Sequence, residues 1–441
     1  MEKQYQCIVM GAAGRDFHVY LSFLRNNPHF RVCAFTATQI PFITERGFPQ
    51  SLAGPDYDSD IPIYDESELP RLIKKYDADF VFFAYSDVPH SYIMHQASLV
   101  QAAGASFAML GPDHTQLAST KPVVSITATR TGAGKSPLTQ WLARLLTDQG
   151  KRVAVIRHPM PYGDLQRQAV QRFATPEDLE RHECTIEERE EYEPYVDMGI
   201  PIYAGVDYQG ILDESSREAD IVLWDGGNND FSFIRPDLDI VVVDALRAGH
   251  EIDYFPGEVN FRRADILVIG KAGSAAPGAV EGIIERAREL NPGATICTSN
   301  LEIDVDRSEL LRDQNVLVIE DGPTTTHGGM SFGAGTVAAK RFGGIPVDPR
   351  PYAVGTLRDT FEKFPHLEAV LPAMGYSDEQ RADLAQTIND CCKAENVSCV
   401  VDASPARLDR MLELDVPLVR VAYRFEQLDG EPLEDKVKAL L

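Results

Sequence analysis

The 441-residue chain has 44% hydrophobic and 25% charged residues, the balance of a globular protein long enough for two or three domains. Its net charge of −25 argues against nonspecific nucleic-acid binding, which needs a basic surface, and no apolar run nears membrane-spanning length. The seven cysteines are scattered, with no Cys-x-x-Cys pair, and Met1–Gln6 lead straight into a strand with no signal-like segment. These features predict a cytoplasmic protein with neither membrane nor nucleic acid as partner.

Gln6–Gly11 reads as a strand, Gly11–Gly14 as a turn, and the residues through Leu24 as a helix. Phe30–Thr36, Ala78–Tyr85 and Phe107–Leu110 follow as strands. The alternation predicts a Rossmann-like parallel sheet over residues 1–120. Only two glycines of the dinucleotide fingerprint are clear, and no acid follows the second strand at Thr36–Thr38, which weighs against NAD. Ser86-Asp87, with His90 and His95, stands at a strand end. Gly111–Pro122 has the turn residues of a linker.

The organising stretch is Val123–Leu146: an apolar run, a glycine-rich turn, then an amphipathic segment. Within Thr131-Gly132-Ala133-Gly134-Lys135-Ser136 the glycines let backbone N–H groups approach phosphate. Lys135 would reach the β- and γ-phosphates, and the Ser136 hydroxyl would ligate Mg²⁺. The helix from Leu138 to Leu146 would aim its positive end at the same charge. A P-loop domain is expected over 121–348. The first Walker A glycine is replaced by Thr129. Arg130 falls where the deviant Walker group, which includes dethiobiotin synthetase and nitrogenase iron-protein relatives, carries a second lysine; the turn resembles theirs in this respect.

Further strands end at charged or glycine residues: Val153–Ile156, then Ile221–Trp224 at Asp225, Ile240–Val243 at Asp244, Ile266–Ile269 at Gly270-Lys271, and Val316–Ile319 at Glu320-Asp321. In open α/β sheets that carboxyl edge holds the ligand. Glu180–Glu193 reads as a charged helical insert with a solvated face. A smaller α/β segment is expected over 349–441, with strands at Ala369–Leu371, Cys399–Val401 and Leu418–Val421 and helices at Asp378–Lys393 and Pro405–Leu412.

Asp225 suits a Walker B role, holding the Mg²⁺ shell, with Gly226-Gly227 allowing the γ-phosphate close. Arg157 and His158 begin a proline-rich loop and could clamp substrate oxyanions, the guanidinium fork matching phosphate; Asp164 could ligate a second metal. Three threonines, His327 and a Gly-Gly pair in Asp321–Met330 suggest an anion nest. Lys271 lies where guanine-specific proteins carry Asn-Lys-x-Asp. The aspartate is absent, which favours ATP over GTP.

Together, Tyr85–His90, Arg130–Ser136, Arg157–Leu165, Asp225–Asp230, Asp321–Met330, Ser404-Pro405 and Pro417–Tyr423 resemble the cyclic 2,3-diphosphoglycerate synthetase family, over about residues 5–425. The resemblance implies ATP- and Mg²⁺-dependent closure of a phosphoanhydride in a phosphorylated small molecule, releasing ADP and phosphate. On it, Lys135 and Arg130 would stabilise the transferring group, Ser136 and Asp225 would hold Mg²⁺, and Arg157, His158 and His327 would bind substrate, with Asp164 beside them. Two other classes stay open. One is a Mur-like ligase working through an acyl phosphate, and the other is a GTPase-type switch. A homodimer is the default expectation.

Overall fold

The computed structural model describes residues 4–12, 14–38, 47–158, 163–227, 229–326, 329–367, 369–374 and 377–440. The chain forms two compact units, one of Met1–Arg172, Pro201–Ser299 and Gln427–Leu441, the other of Phe173–Ile200 and Asn300–Glu426.

The first unit holds two sheets. One has six strands in the spatial order Gly47–Phe48, Ile61–Asp65, Phe30–Ala37, Tyr5–Met10, Phe80–Phe83, Ser106–Ala108. All pairings are parallel except that of Gly47–Phe48. Alternation decides the packing of Tyr5–Met10: Cys7 and Val9 join a core with Phe17, Phe35 and Phe48, whereas Ile8 and Met10 join Leu72, Val81 and Phe83. The strand is thus buried on both faces. Chain order reverses on either side of it, so the carboxyl end of Tyr5–Met10 opens on the crevice where such sheets bind ligands.

The other sheet runs Ile202–Ala204, Val153–Ile156, Ile221–Trp224, Val123–Ala128, Leu238–Asp244, Ile266–Gly270, Thr295–Val305, parallel throughout. All six residues of Val123–Ala128 are buried, because the strand has a neighbour on each side and cover on both faces. Helix Lys135–Asp148 follows directly. Leu138, Leu142, Ala143 and Leu146 make its buried stripe, at the spacing a single helix face requires.

In the second unit Asn315–Glu320 is paired in parallel with Cys399–Asp402, Ile345–Pro346 and Leu371–Pro372, and Cys399–Asp402 pairs in turn with Leu418–Asp429. The charged insert folds as helices Pro176–Arg181 and Ile186–Asp197, each opened by a capping box, Thr175 with Asp178 and Thr185 with Glu188. The expectation of a solvated face is corrected here: Glu187, Glu188, Glu190 and Glu193 are buried. Local partners make this tolerable for two of the four. Glu188 accepts from Thr185 N at 2.9 Å, and Glu193 accepts from Arg189 at 3.2 Å and from Arg407 N at 2.7 Å. Burial holds the Glu188 carboxyl up at about 7, and burial with Asp321 and Glu187 nearby pushes Glu190 well above the usual range.

The units do not part at residues 120 and 348. Asn315–Glu320 draws two of its three partners, Leu371–Pro372 and Cys399–Asp402, from beyond 348, and the first two sheets share one unit. Thr295–Val305, which sequence periodicity does not mark, is an eleven-residue strand. Among the described residues, no helix is long and apolar enough to cross a membrane. All seven cysteines are free, six of them buried.

Candidate nucleotide and acceptor site

The turn after Val123–Ala128 relies on glycine twice: Gly132 has φ +77° and Gly134 φ +105°, a left-handed geometry that costs a side chain dearly. It delivers Lys135 as the first helical residue. Lys135 Nζ donates to the carbonyl of Gly226 and stands 3.6 Å from Asp225 Oδ1. Asp225 is fully buried. Thr139 Oγ1 donates to it at 3.1 Å, and Arg157 Nη1 lies 2.8 Å from Oδ2. The same Arg157 nitrogen donates to Asp225 O at 2.9 Å and to Ser136 Oγ at 3.2 Å. A carboxylate without solvent must be paired, and Lys135 and Arg157 supply the pairing. Four residues read from separate segments, Lys135, Ser136, Arg157 and Asp225, therefore form one cluster. Arg157 sits there as the partner of Asp225 and Ser136.

The turn is also held from outside. Arg130 Nε is 2.7 Å from Asp87 Oδ1, and its guanidinium lies 3.6 Å over the Tyr254 ring. Thr131 N donates to Asp87 Oδ2 at 3.4 Å. Arg247 donates to Thr131 O at 2.5 Å and Lys271 to Gly132 O at 2.6 Å. Asp244 receives both, Arg247 Nε at 2.8 Å and Lys271 Nζ at 3.0 Å. The nearby cations hold the Asp244 carboxyl below its ordinary range despite burial. Arg247 was not visible as a site residue from sequence, and Asp87 and Asp244 carried only a weak signal, their place immediately after strands.

His158 turns toward Asp230, Nε2 to Oδ2 3.4 Å, while Ser86 donates its hydroxyl to the other Asp230 oxygen. A Cβ added to Gly14 would fall 1.9 Å from His158 Cε1, so the ring packs against the first glycine turn of the chain. Burial raises the Asp230 carboxyl to about 7, against the opposing pull of Arg15 and Ser86.

Other expected site residues fall elsewhere. Asp164 is exposed, and its carboxylate accepts from Gln166 N at 2.8 Å and Arg167 N at 3.4 Å. That is a local turn, with no contact to Ser136 or Asp225 among the described residues. His327 and Pro159–Tyr162 lie outside the described residues. The Thr325 and Thr326 hydroxyls are spent on the carbonyls of Asp321 and Gly322, at 2.8 and 2.7 Å. Glu320 caps the helix Ala334–Arg341, accepting from Gly333 N, Gly335 N and Thr336 N at 2.9, 3.1 and 2.8 Å.

Among the described residues no group of three His, Cys, Asp or Glu side chains is set to hold a metal ion. A hydroxyl and one carboxylate, Ser136 and Asp225, suit Mg²⁺, which keeps much of its water and takes phosphate oxygens.

A glycine turn between a buried parallel strand and a helix, with lysine and hydroxyl at the helix start and a strand-end aspartate beside them, defines the P-loop class of phosphate-binding α/β proteins. The chain is 52% identical over 441 residues, all of this chain and 97% of the relative, to arginine synthetase ArcE of Thermococcus kodakarensis. It belongs to that synthetase family, whose name differs from that of the diphosphoglycerate family suggested by the motifs. It is also 28% identical over 123 residues, 27% of this chain and 34% of the relative, to tetraacyldisaccharide 4'-kinase of Dechloromonas aromatica. Aquifex aeolicus LpxK, solved in complex with ATP, overlaps loosely: TM-score 0.41 and 13% identity over 79% of this chain and 94% of that one. No family profile matches the chain.

Proposed function

We propose that this chain is an ATP- and Mg²⁺-dependent ligase whose product is arginine. The cluster of Lys135, Ser136, Arg157 and Asp225 at the carboxyl edge of a parallel sheet carries the nucleotide half of this reading, and the name of the 52%-identical relative supports the product. Lys135 exchanges the Gly226 carbonyl for a phosphate oxygen, and Ser136 and Asp225 hold the metal. The chemistry then follows from the product. Arginine differs from the ureido amino acid citrulline by one nitrogen in place of one oxygen. A ligase spending ATP transfers the γ-phosphoryl group to that oxygen, releasing ADP, and ammonia then displaces phosphate at the carbon. Little covalent work falls to the protein, which aligns and neutralises.

Purified protein given ATP, Mg²⁺, citrulline and ammonium should form arginine and ADP in equal amounts. Lys135→Ala should lower kcat on the order of 10²–10³-fold, as loss of one preorganised donor does, in a protein that still melts cooperatively because Arg157 continues to pair Asp225. ADP release that needs no acceptor, or full activity in Lys135→Ala, would sink the assignment. A second reading, cyclic 2,3-diphosphoglycerate formation, is favoured by the three cations Arg130, Arg247 and Lys271 on the turn, which suit a bisphosphate. The same assay with 2,3-diphosphoglycerate as acceptor, read by ³¹P spectroscopy, decides between them. Substituting GTP tests the switch alternative.

A further inference from the structure

Beside the nucleotide cluster, within the same unit, lies a set of buried donors that the phosphate chemistry leaves unused. Arg15 begins the helical stretch after the first glycine turn and is 3% exposed. Its guanidinium is sandwiched between rings, 4.3 Å from the Phe231 centroid and 4.8 Å from that of Phe255. Stacking satisfies the faces of the cation but leaves its edge. Nη2 reaches Leu110 O only at 3.5 Å, and Nε and Nη1 have no hydrogen-bond partner among the described residues. The Tyr208 hydroxyl and the Trp224 indole nitrogen, 2% and 0% exposed, are likewise without one.

Two of these donors, Tyr208 and Trp224, lie side by side. Tyr208 and Trp224 rings are 5.6 Å apart, and both pack on Phe233, at 4.9 Å each. A Cβ on Gly226 would fall 2.3 Å from Trp224 Nε1, which puts the indole beside the carbonyl that receives Lys135. The charge of Asp230 acts on both Arg15 and Tyr208. Buried polar groups in native proteins find partners, and donors left without one call for an acceptor from a ligand or from water. Free N–H groups on a buried guanidinium match the oxygens of a carboxylate.

We propose that Arg15, with Tyr208 and Trp224 around it, is the subsite for the carboxylate of the acceptor substrate. The inference rests on the ligase reading, and both acceptors considered above carry a carboxylate. It places the acceptor against the first glycine turn, with its other end toward Lys135, and gives the N-terminal sheet a purpose: it supplies the anchor while the phosphate loop supplies the reagent.

The test is equilibrium binding by calorimetry of L-arginine and of agmatine, which is arginine without its carboxylate, to the full chain. Wild type should favour arginine on the order of 30-fold or more, the range seen when one partner of a buried charge pair is removed. Arg15→Met should abolish the preference while leaving the affinity for a fluorescent ATP analogue unchanged, and Arg15→Lys should restore part of it. Should Arg15→Met fail to fold, as a melting curve would show, Tyr208→Phe serves: it should weaken arginine about three- to tenfold and agmatine not at all. Equal binding of the two ligands by wild type, no arginine binding, or a preference that survives these variants would overturn the subsite; the donors would then hold only internal water. Arginine formation in the assay with no such preference keeps the ligase and discards the subsite. A preference without any arginine formation does the reverse.

Discussion

Asp230 and Arg157 show how residues of one site divide into charges that are paired and charges that are suppressed. Arg157 pairs with the fully buried Asp225 carboxylate, so its guanidinium is as much a part of the fold as of the chemistry. Asp230 goes the other way, its carboxyl raised from an ordinary 3.8 to about 7 by burial. Between those two pH values the folded chain holds a proton there that the unfolded chain has released. Folding stability contributed by Asp230 is therefore full below about pH 4 and falls as pH rises to about 7. Asp230→Asn should flatten that part of the curve; denaturant midpoints measured at pH 5 and pH 8 would show it as a smaller loss in the variant. An equal loss in both proteins would mean that Asp230 is already ionised in the fold.

The insert helix Ile186–Asp197 carries the clearest conflict between sequence pattern and structure. Its glutamates have the spacing of a solvated face, and composition alone points outward. Ile186 overrides this by joining a core with Leu317, Leu357 and Leu384, which draws Glu190, one turn on along the same face, into the interior. The price is a carboxyl at Glu190 pushed well above its ordinary range by burial, with Asp321 adding to the rise. Since a raised carboxyl loses stability as pH climbs, Glu190→Gln should melt like the parent at pH 5 and above it at pH 9. A lower melting temperature at both values would show that the negative charge itself is needed. Elements with strong local signals were legible: Ile221–Trp224 has the bounds its apolar run suggests, and Lys135–Asp148 follows its glycines. The Lys135, Ser136 and Asp225 part of the site was legible for the same reason, since each stands at a strand end or helix start. Asp87 was legible only as a residue after a strand, and Arg247 and Arg15 not at all, because their roles come from tertiary contacts with residues 43, 116 and 95 positions away, a separation no local pattern encodes.

At the scale of the whole chain, the two units interleave along the sequence. Phe173–Ile200 and Asn300–Glu426 make one of them, and its central strand Asn315–Glu320 pairs at Val316 with Cys399 and at Ile319 with Leu371. A fragment of residues 1–348 should consequently fail to complete that sheet, exposing an unpaired apolar strand of the kind that aggregates. Size-exclusion chromatography would show large species; a monodisperse fragment with a cooperative melt would contradict this. The same interleaving has a temporal side. Gln427–Leu441 belongs to the first unit, where Gly430 sits against Cys297. A ribosome therefore releases the opening half of the molecule long before it delivers the closing segment that half requires. The nascent chain must wait, partly assembled, while Asn300–Glu426, the larger part of the other unit, is translated, so slowing synthesis near the end should matter more to yield than slowing it at the start.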